Sequence, residues 1–412
     1  MKKQLQICSI VIIILLLCLI GFLIWKLYSI HQETQPSPPQ DMCDALILVD
    51  PQKTSQSTEY DLKYTQNSTP TKQYLSVGTQ DTVSLSYHQN LTVHINRNLT
   101  LSDNDICQYG LFEKSNKQFA VFYSEISAIQ NAERLCHLIL CYRDYFPILL
   151  FGKFDSDTSA LLTDICQLSS SSINDVTYYY QNLSVTSHPT SSSLLLTLQK
   201  TPRTLDLNKK MVALTFDDGP SAYTEKILES LALYQAKATF FVNGSHVTEY
   251  PKVIESIFQN HCEIGNHTNL HELFEQNTQG IIRKTIEETN KKVRQVIGIG
   301  TFVVRPPGGG PLDKYQNTVT IGYPIIRWSL DTFDYLGPQS TSSLLATIQP
   351  TVRHGDIILM HDTKVTTAEA SESIISYLTS QGFQLVTVSE LLEFSSDGAI
   401  TDRIYNDTIS NK

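Results

Sequence analysis

The sequence carries no excess of basic charge. Lys and Arg total 31 against 41 Asp and Glu in 412 residues, a net charge of -10. A nucleic-acid-binding chain concentrates Lys and Arg on one face and runs to a high isoelectric point. Here the isoelectric point is about 5.6, which sets nucleic acid aside as a partner. No CxxC pair occurs among the eight cysteines, which argues against a structural zinc ribbon. Only 17% of residues are charged and 41% are hydrophobic, a globular composition with too few charges for a disordered chain. The length suits two or three domains.

Long apolar runs are also scarce, and the one that matters is Ile7 to Trp25, which carries no charge. It is long enough to span a bilayer as a helix. No A-x-A-like cleavage site separates it from the Pro-rich stretch Gln32 to Gln40, so a signal anchor is the preferred reading over a cleaved signal peptide. Lys2 and Lys3 precede the run and Lys26 follows it, which favours a cytoplasmic N-terminus. The expected order is a cytoplasmic tail (1–6), a transmembrane anchor (7–25), a linker (26–43) and an extracellular remainder. That places the protein in the cell membrane as a single-pass protein, its main mass outside. Cys8 and Cys18 fall in the run as apolar filling. The other six cysteines allow fifteen pairings, among which sequence does not choose.

Residues 44–200 show β-rich runs (Ala45–Val49, Thr82–Tyr87, Leu91–Ile95, Gln118–Tyr123, Phe146–Phe151) and one helical stretch, Ala128–Tyr142. They predict one or two small α+β modules without a catalytic constellation. Tyr178, Tyr179 and Tyr180 read as core or edge-strand aromatics in preference to a sugar-stacking platform. From 205 to 395 the rhythm changes. Strands are expected at Val212–Phe216, Ala238–Val242, Glu263–Asn266, Phe302–Arg305, Ile325–Leu330, Ile357–His361 and Gln384–Val388. Helices are expected at Tyr223–Tyr234, Pro251–Asn260, Gln279–Gly298, Ser340–Arg353 and Ala368–Gln381. The alternation predicts an α/β fold with a parallel sheet closing like a barrel. Residues 396–412 read as a loose polar tail.

The chemistry-bearing residues fall at the ends of these strands, where such barrels build active sites. Asp217 and Asp218 end the first strand, just before Gly219-Pro220 breaks it. His267 and His271 stand at i and i+4. Two imidazoles and one carboxylate form a three-ligand set for a catalytic divalent metal, and the second carboxylate is a ready general base. Zinc suits that set best, and cobalt, nickel and manganese fit similar ones. Arg305 leads the rigid loop Pro306-Pro307-Gly308-Gly309-Gly310 and can hold a carboxylate ionised. Asp331-Thr332-Phe333-Asp334-Tyr335 and His361-Asp362 end two further strands. A histidine oriented by a carboxylate makes a good general acid. Taken singly, each feature also has a bland reading: a turn, surface histidines, a rigid connector, a core histidine. Five at once, each at a strand end, point to metal-assisted hydrolysis.

These residues resemble the polysaccharide deacetylase domain of carbohydrate esterase family 4. TFDDGP is Thr215–Pro220, H-[ST]-x-x-H is His267–His271, R-x-P-x-G is Arg305–Gly309, D-x-x-D-W corresponds to Asp331–Tyr335, and L-x-H is Leu359–His361. The resemblance covers about 190 of the 412 residues, with order and spacing matching as well as type. It implies a distorted (β/α) barrel that removes acetyl groups from N-acetylated, and in some members O-acetylated, sugars. It implies Asp217 as base, Asp218, His267 and His271 as metal ligands, and Arg305 as the residue orienting the base. His361 would be the acid, tuned by a motif-four aspartate, Asp334 in preference to Asp331. Tyr223 would supply a backbone N–H, and Pro307, Gly308, Gly309, Tyr335 and Leu359 would line the groove. Two departures stand out: Tyr335 replaces the usual Trp, and Gly308 replaces the usual aromatic, leaving a more open wall. With an extracellular tether, peptidoglycan N-acetylglucosamine is the first expected substrate. Chitin oligosaccharides, poly-N-acetylglucosamine, O-acetylxylan or a non-catalytic carbohydrate-binding role are the alternatives.

Overall fold

Met211-Val-Ala-Leu-Thr-Phe-Asp217 is an almost unbroken apolar run, and every residue of it is buried. Such a run suits a central parallel strand covered on both faces. The fold is built around it in a computed structural model that describes residues 45–49, 82–87, 91–96, 108–114, 117–126, 129–173, 176–187, 194–198, 205–310, 320–395 and 403–408. The predicted anchor at 7–25 lies outside the described residues. Among the described residues no helix is long and apolar enough to cross a membrane.

In the upstream half, strands β1 (Ala45–Val49), β2 (Thr82–Tyr87) and β3 (Leu91–Asn96) form one sheet. Strands β9 (Leu183–Ser187) and β10 (Leu194–Leu198) complete it in the order β3-β2-β1-β10-β9. A second sheet has β4 (Gln108–Lys114), β5 (Lys117–Ile126), β6 (Ile148–Phe154), β7 (Ser169–Ile173) and β8 (Val176–Gln181) in the order β4-β5-β6-β8-β7. Helices α1 (Ile129–Tyr142) and α2 (Ser156–Asp164) accompany it. Tyr178 and Tyr179 are only 8% and 5% exposed, so they serve the core and form no sugar platform.

The second half is the expected α/β sheet. Strands β11 (Met211–Asp217), β12 (Ala238–Val242), β13 (Glu263–Asn266), β14 (Ile325–Ile326), β15 (Leu330–Asp331), β16 (Ile357–His361), β17 (Gln384–Leu385) and β18 (Ile404–Tyr405) alternate with helices. The main path runs β13-β12-β11-β16-β15, all parallel. Beyond β13, single parallel bridges join Asn266 to Val304 and Val304 to Ile325 in β14. Strands β14 and β15 are separated only by Arg327-Trp328-Ser329, so the ribbon curls back on itself as a distorted barrel. Helices α3 (Thr224–Leu233), α4 (Gly244–Glu249), α5 (Pro251–Gln259), α6 (Gln279–Ile297), α7 (Thr341–Ile348), α8 (Val365–Ser380) and α9 (Val388–Ser395) complete the domain. Val212, Leu214 and Phe216 meet Ile227, Leu231, Ile374 and Leu378 from the helices in one core. Met211 and Ala213 face the opposite way, into a second core shared with Phe122, Leu135 and Ile148 of the upstream half.

Several expected elements differ. Phe302–Arg305 is reduced to the single bridge at Val304, because Pro306 and Pro307 end the strand at once. Ile325–Leu330 splits into β14 and β15 around the turn of the ribbon. Ser340–Arg353 stops as helix at Ile348, two residues before Pro350. Gln384–Val388 yields only two strand residues, since Thr387 and Glu390 form a reciprocal capping box that starts α9. The tail is not wholly loose: β18 pairs in parallel with β14, and Tyr405 is 1% exposed.

Candidate active site

Along β11 the side chains of Met211, Ala213, Thr215 and Asp217 share one face, by strand alternation. Register sets Asp217 level with His361 of β16 and Phe241 of β12. Asp217 is 3% exposed. Its Oδ1 accepts from Arg305 Nη1 at 2.7 Å. The same nitrogen donates to Thr215 Oγ1 at 2.7 Å, and Nη2 donates to the Arg327 carbonyl at 2.8 Å. Arg305 is wholly buried, its guanidinium 4.1 Å from the Phe241 ring centroid. Burial raises the Asp217 carboxyl above its ordinary range, against the opposing charge of Arg305.

Asp218 breaks the alternation. Its φ is 71°, a left-handed conformation that turns the chain out of the strand and carries this carboxylate toward the histidines. Asp218 Oδ1 lies 3.5 Å from both His267 Nε2 and His271 Nε2. It is itself buried without a hydrogen-bond donor. The three ligand atoms all fall within 4.8 Å of one another. An orphaned carboxylate oxygen facing two imidazole nitrogens fits a divalent metal. His267 is 2% exposed, and its Nδ1 lies 2.8 Å from the Arg305 carbonyl, which holds that nitrogen protonated and turns the Nε2 lone pair to the site. Burial pushes the His267 pKa down to about 3, keeping the ring in the neutral form a metal requires. His271 is 44% exposed, so the site opens to solvent on its side. Thr268, His271 and Phe333 also have positive φ (66°, 60° and 56°), a concentration of uncommon backbone around one cleft.

Opposite stands His361, whose Nδ1 is 2.7 Å from Asp334 Oδ1. The His361 backbone N–H and the Thr367 hydroxyl donate to Asp334 Oδ2 at 2.7 and 2.6 Å. Burial opposes charge on His361, but the bond to Asp334 and the nearby carboxylates outweigh it and raise its pKa. Asp331 does something else. It accepts from the Phe333 N–H at 2.8 Å and from the Tyr335 hydroxyl at 3.1 Å, shaping the loop. Tyr335 is 44% exposed, its ring centroid 5.4 Å from that of His361. Tyr223 is 40% exposed. Pro307, Gly309 and Leu359 are buried, so of the expected groove residues Tyr223, Gly308 and Tyr335 present surface. A side chain at Gly309 would strike Trp328 at 2.7 Å.

Residues 204–325 match the family model described as polysaccharide deacetylase. A peptidoglycan-N-acetylglucosamine deacetylase of Bacillus cereus is 33% identical over 194 residues, covering 45% of this chain and 90% of that protein. The chain belongs to the polysaccharide deacetylase family. The peptidoglycan-N-acetylmuramic acid deacetylase PdaC of Bacillus subtilis is 37% identical over 191 residues, 46% of this chain and 40% of PdaC. The peptidoglycan-N-acetylglucosamine deacetylase PgdA of Listeria monocytogenes is 36% identical over 184 residues, 44% of this chain and 39% of PgdA. The chain thus spans about two fifths of these two larger deacetylases.

Sequence reasoning gave no site role to several supporting residues of this deacetylase domain. Thr367 fixes Asp334 from a helix, and a lone helical Thr carries no signal. His246 stands 2.7 Å from the Asp218 carbonyl through Nδ1, behind the ligand set rather than on the surface. Asp362 is 0% exposed and accepts from the Thr224 hydroxyl at 2.5 Å. Burial raises its pKa to about 7.

Proposed function

We propose that this protein is a metal-dependent polysaccharide N-deacetylase acting on N-acetylglucosamine of peptidoglycan. One observation carries the reading: Asp217–Arg305, Asp218–His267–His271 and Asp334–His361 converge at the C-terminal ends of the barrel strands. Asp218, His267 and His271 would hold the ion, with zinc first and cobalt, nickel or manganese as substitutes. Bound there, the ion supplies Lewis acidity toward an acetyl carbonyl and lowers the pKa of water.

The chain's own residues do the rest. Arg305 occupies Asp217 Oδ1, leaving Oδ2, 3.8 Å from His267 Nε2, to take a proton from the attacking water. Tyr223 stands at the N-cap of α3, at the positive end of the helix, where its N–H donates to Ser221 Oγ at 3.0 Å and would have to share that bond with a developing oxyanion. With Nδ1–H on Asp334, His361 Nε2 is free to give its proton to the leaving amine. Tyr335 and Gly308 form the parts of the wall that a sugar would meet. The uncharged stretch 7–25 supports a tether in the cell membrane, with the site on the wall side.

The test is acetate release by residues 44–412 from peptidoglycan, chitin oligomers and acetylxylan, with chelator and with zinc restored. We expect chelator-sensitive release from peptidoglycan, and mass analysis of the digested muropeptides assigns the amine to glucosamine or muramic acid. Asp218→Asn should lose both bound zinc and turnover, whereas Asp217→Asn should keep the zinc and lose turnover by about 10²-fold or more. Full activity and zinc content in Asp218→Asn would overturn the site. Release from acetylxylan alone would overturn the substrate.

A further inference from the structure

The loop from Gly219 to Thr224 joins Asp218 to helix α3 and is clamped from below by one residue, Asp362. The Thr224 hydroxyl donates to Asp362 Oδ2 at 2.5 Å, and the Ser221 hydroxyl donates to the Asp362 carbonyl at 2.6 Å. The bonds then run through the loop itself. Ser221 N–H donates to Thr224 Oγ1 at 2.9 Å, and Tyr223 N–H donates to Ser221 Oγ at 3.0 Å. The carboxyl packs against Gly219 so closely that a Cβ there would lie 2.1 Å from Oδ2 and 2.2 Å from Oδ1. Its Oδ1 is buried with no hydrogen-bond partner.

A fully buried carboxyl with one unpaired oxygen costs stability, and an apolar residue of similar size would avoid that cost. Asp362 also directly follows His361, whose backbone and ring are pinned by Asp334. The end of β16 therefore both carries His361 and grips the Ser221–Thr224 turn. The spacing of this turn from His361 must suit one scissile amide, and about 1 Å of misplacement can cost two orders of magnitude in rate.

We propose that Asp362 is a positioning residue that, through Thr224 and Ser221, fixes the Ser221–Thr224 turn, with the exposed Tyr223 in it, relative to His361. This rests on the deacetylase reading above. It also assigns the second residue of the Gly219-Pro220 turn's support to a carboxyl rather than to packing alone: Gly219 is small because Asp362 occupies its side-chain space.

The experiment compares the wild-type chain (residues 44–412) with Asp362→Asn, Thr224→Val and the double variant, and uses Thr224→Ser to restore the hydroxyl. Asp362→Asn keeps the side chain's size. We expect Asp362→Asn and Thr224→Val each to lower kcat by about 10- to 100-fold while KM stays within about twofold. Zinc content should be unchanged, and the double variant should be no slower than the slower single one. Thr224→Ser should recover the rate that Thr224→Val loses. In parallel, hydrogen exchange is read by mass spectrometry. Amides of 221–224 should exchange about 10-fold faster in Asp362→Asn, with those of β11 and β16 unchanged. Wild-type kcat in Asp362→Asn overturns the proposal, as does unchanged exchange in the loop or a loss of protection throughout the domain. An inactive wild type counts against the deacetylase reading alone, because the exchange result is read without substrate.

Discussion

Asp334 accepts three hydrogen bonds, from the His361 ring, the His361 N–H and the Thr367 hydroxyl. Two aspartates of the same motif were candidates for this work, with Asp334 preferred to Asp331 on the family resemblance. The choice is made by a helix more than thirty residues downstream, which brings Thr367 to Asp334, while Asp331 turns to Tyr335. The consequence is measurable as pH dependence. His361 is raised above its ordinary pKa, so it keeps its proton, and its capacity as an acid, up to that raised value and loses both above it. Asp334→Asn removes the raising charge. The alkaline limb of kcat/KM in zinc-saturated enzyme should therefore move to lower pH, and His361→Asn should cost about 10²- to 10⁴-fold in kcat. An alkaline limb that stays in place in Asp334→Asn would sink the role of His361 as acid.

At the scale of elements, β11 and β16 were legible because each is a short, mostly apolar run ending in a polar or charged residue. Parallel strands buried on both faces write themselves that way. What the sequence hid were elements decided by single contacts. The Thr387-x-x-Glu390 box was readable as a helix start, yet the apolar residues before it look like more strand. The two-residue β18 carries no periodicity at all; only its partner β14 defines it. Ile325 N–H donates to the Arg403 carbonyl at 2.8 Å and Arg327 N–H to the Tyr405 carbonyl at 2.7 Å. Arg327 in turn offers its own carbonyl to Arg305. Tyr405→Ala should therefore destabilise by about 3 kcal/mol, in the range for large buried aromatic side chains. Chemical denaturation measures it, and a cost below about 1 kcal/mol would mean that β18 is dispensable.

Across the whole molecule, the upstream half and the barrel share buried charge as well as core. Lys237 of the barrel is 3% exposed, with Nζ 2.5 Å from Asp144 Oδ2 and 2.5 Å from Glu390 Oε1. Tyr145 donates to Glu390 at 3.1 Å, Tyr142 to Glu393 at 2.7 Å, and Arg294 meets Glu133 through two bonds. Composition distinguishes the two halves but gives no hint of this seam, because its partners lie far apart in sequence. Cutting the chain near residue 200 would take Asp144 from Lys237, leaving Glu390 as its partner, and would bare the core that Met211 and Ala213 share with Phe122, Leu135 and Ile148. We expect residues 200–412 alone to melt well below residues 44–412. Equal melting temperatures would make the upstream half a mere spacer. Burial opposes the ionised Asp144, but His261 and Lys237 outweigh it and hold its carboxyl far below the ordinary range. The stability it contributes is thus complete above about pH 4 and is lost on acidification below that. The pairing of β18 with β14 adds a matter of timing. Synthesis runs N-terminus first, so Asp217, His267 and His271 are made before residues 403–405. Until those last residues dock, the strand that braces Arg305 lacks its neighbour.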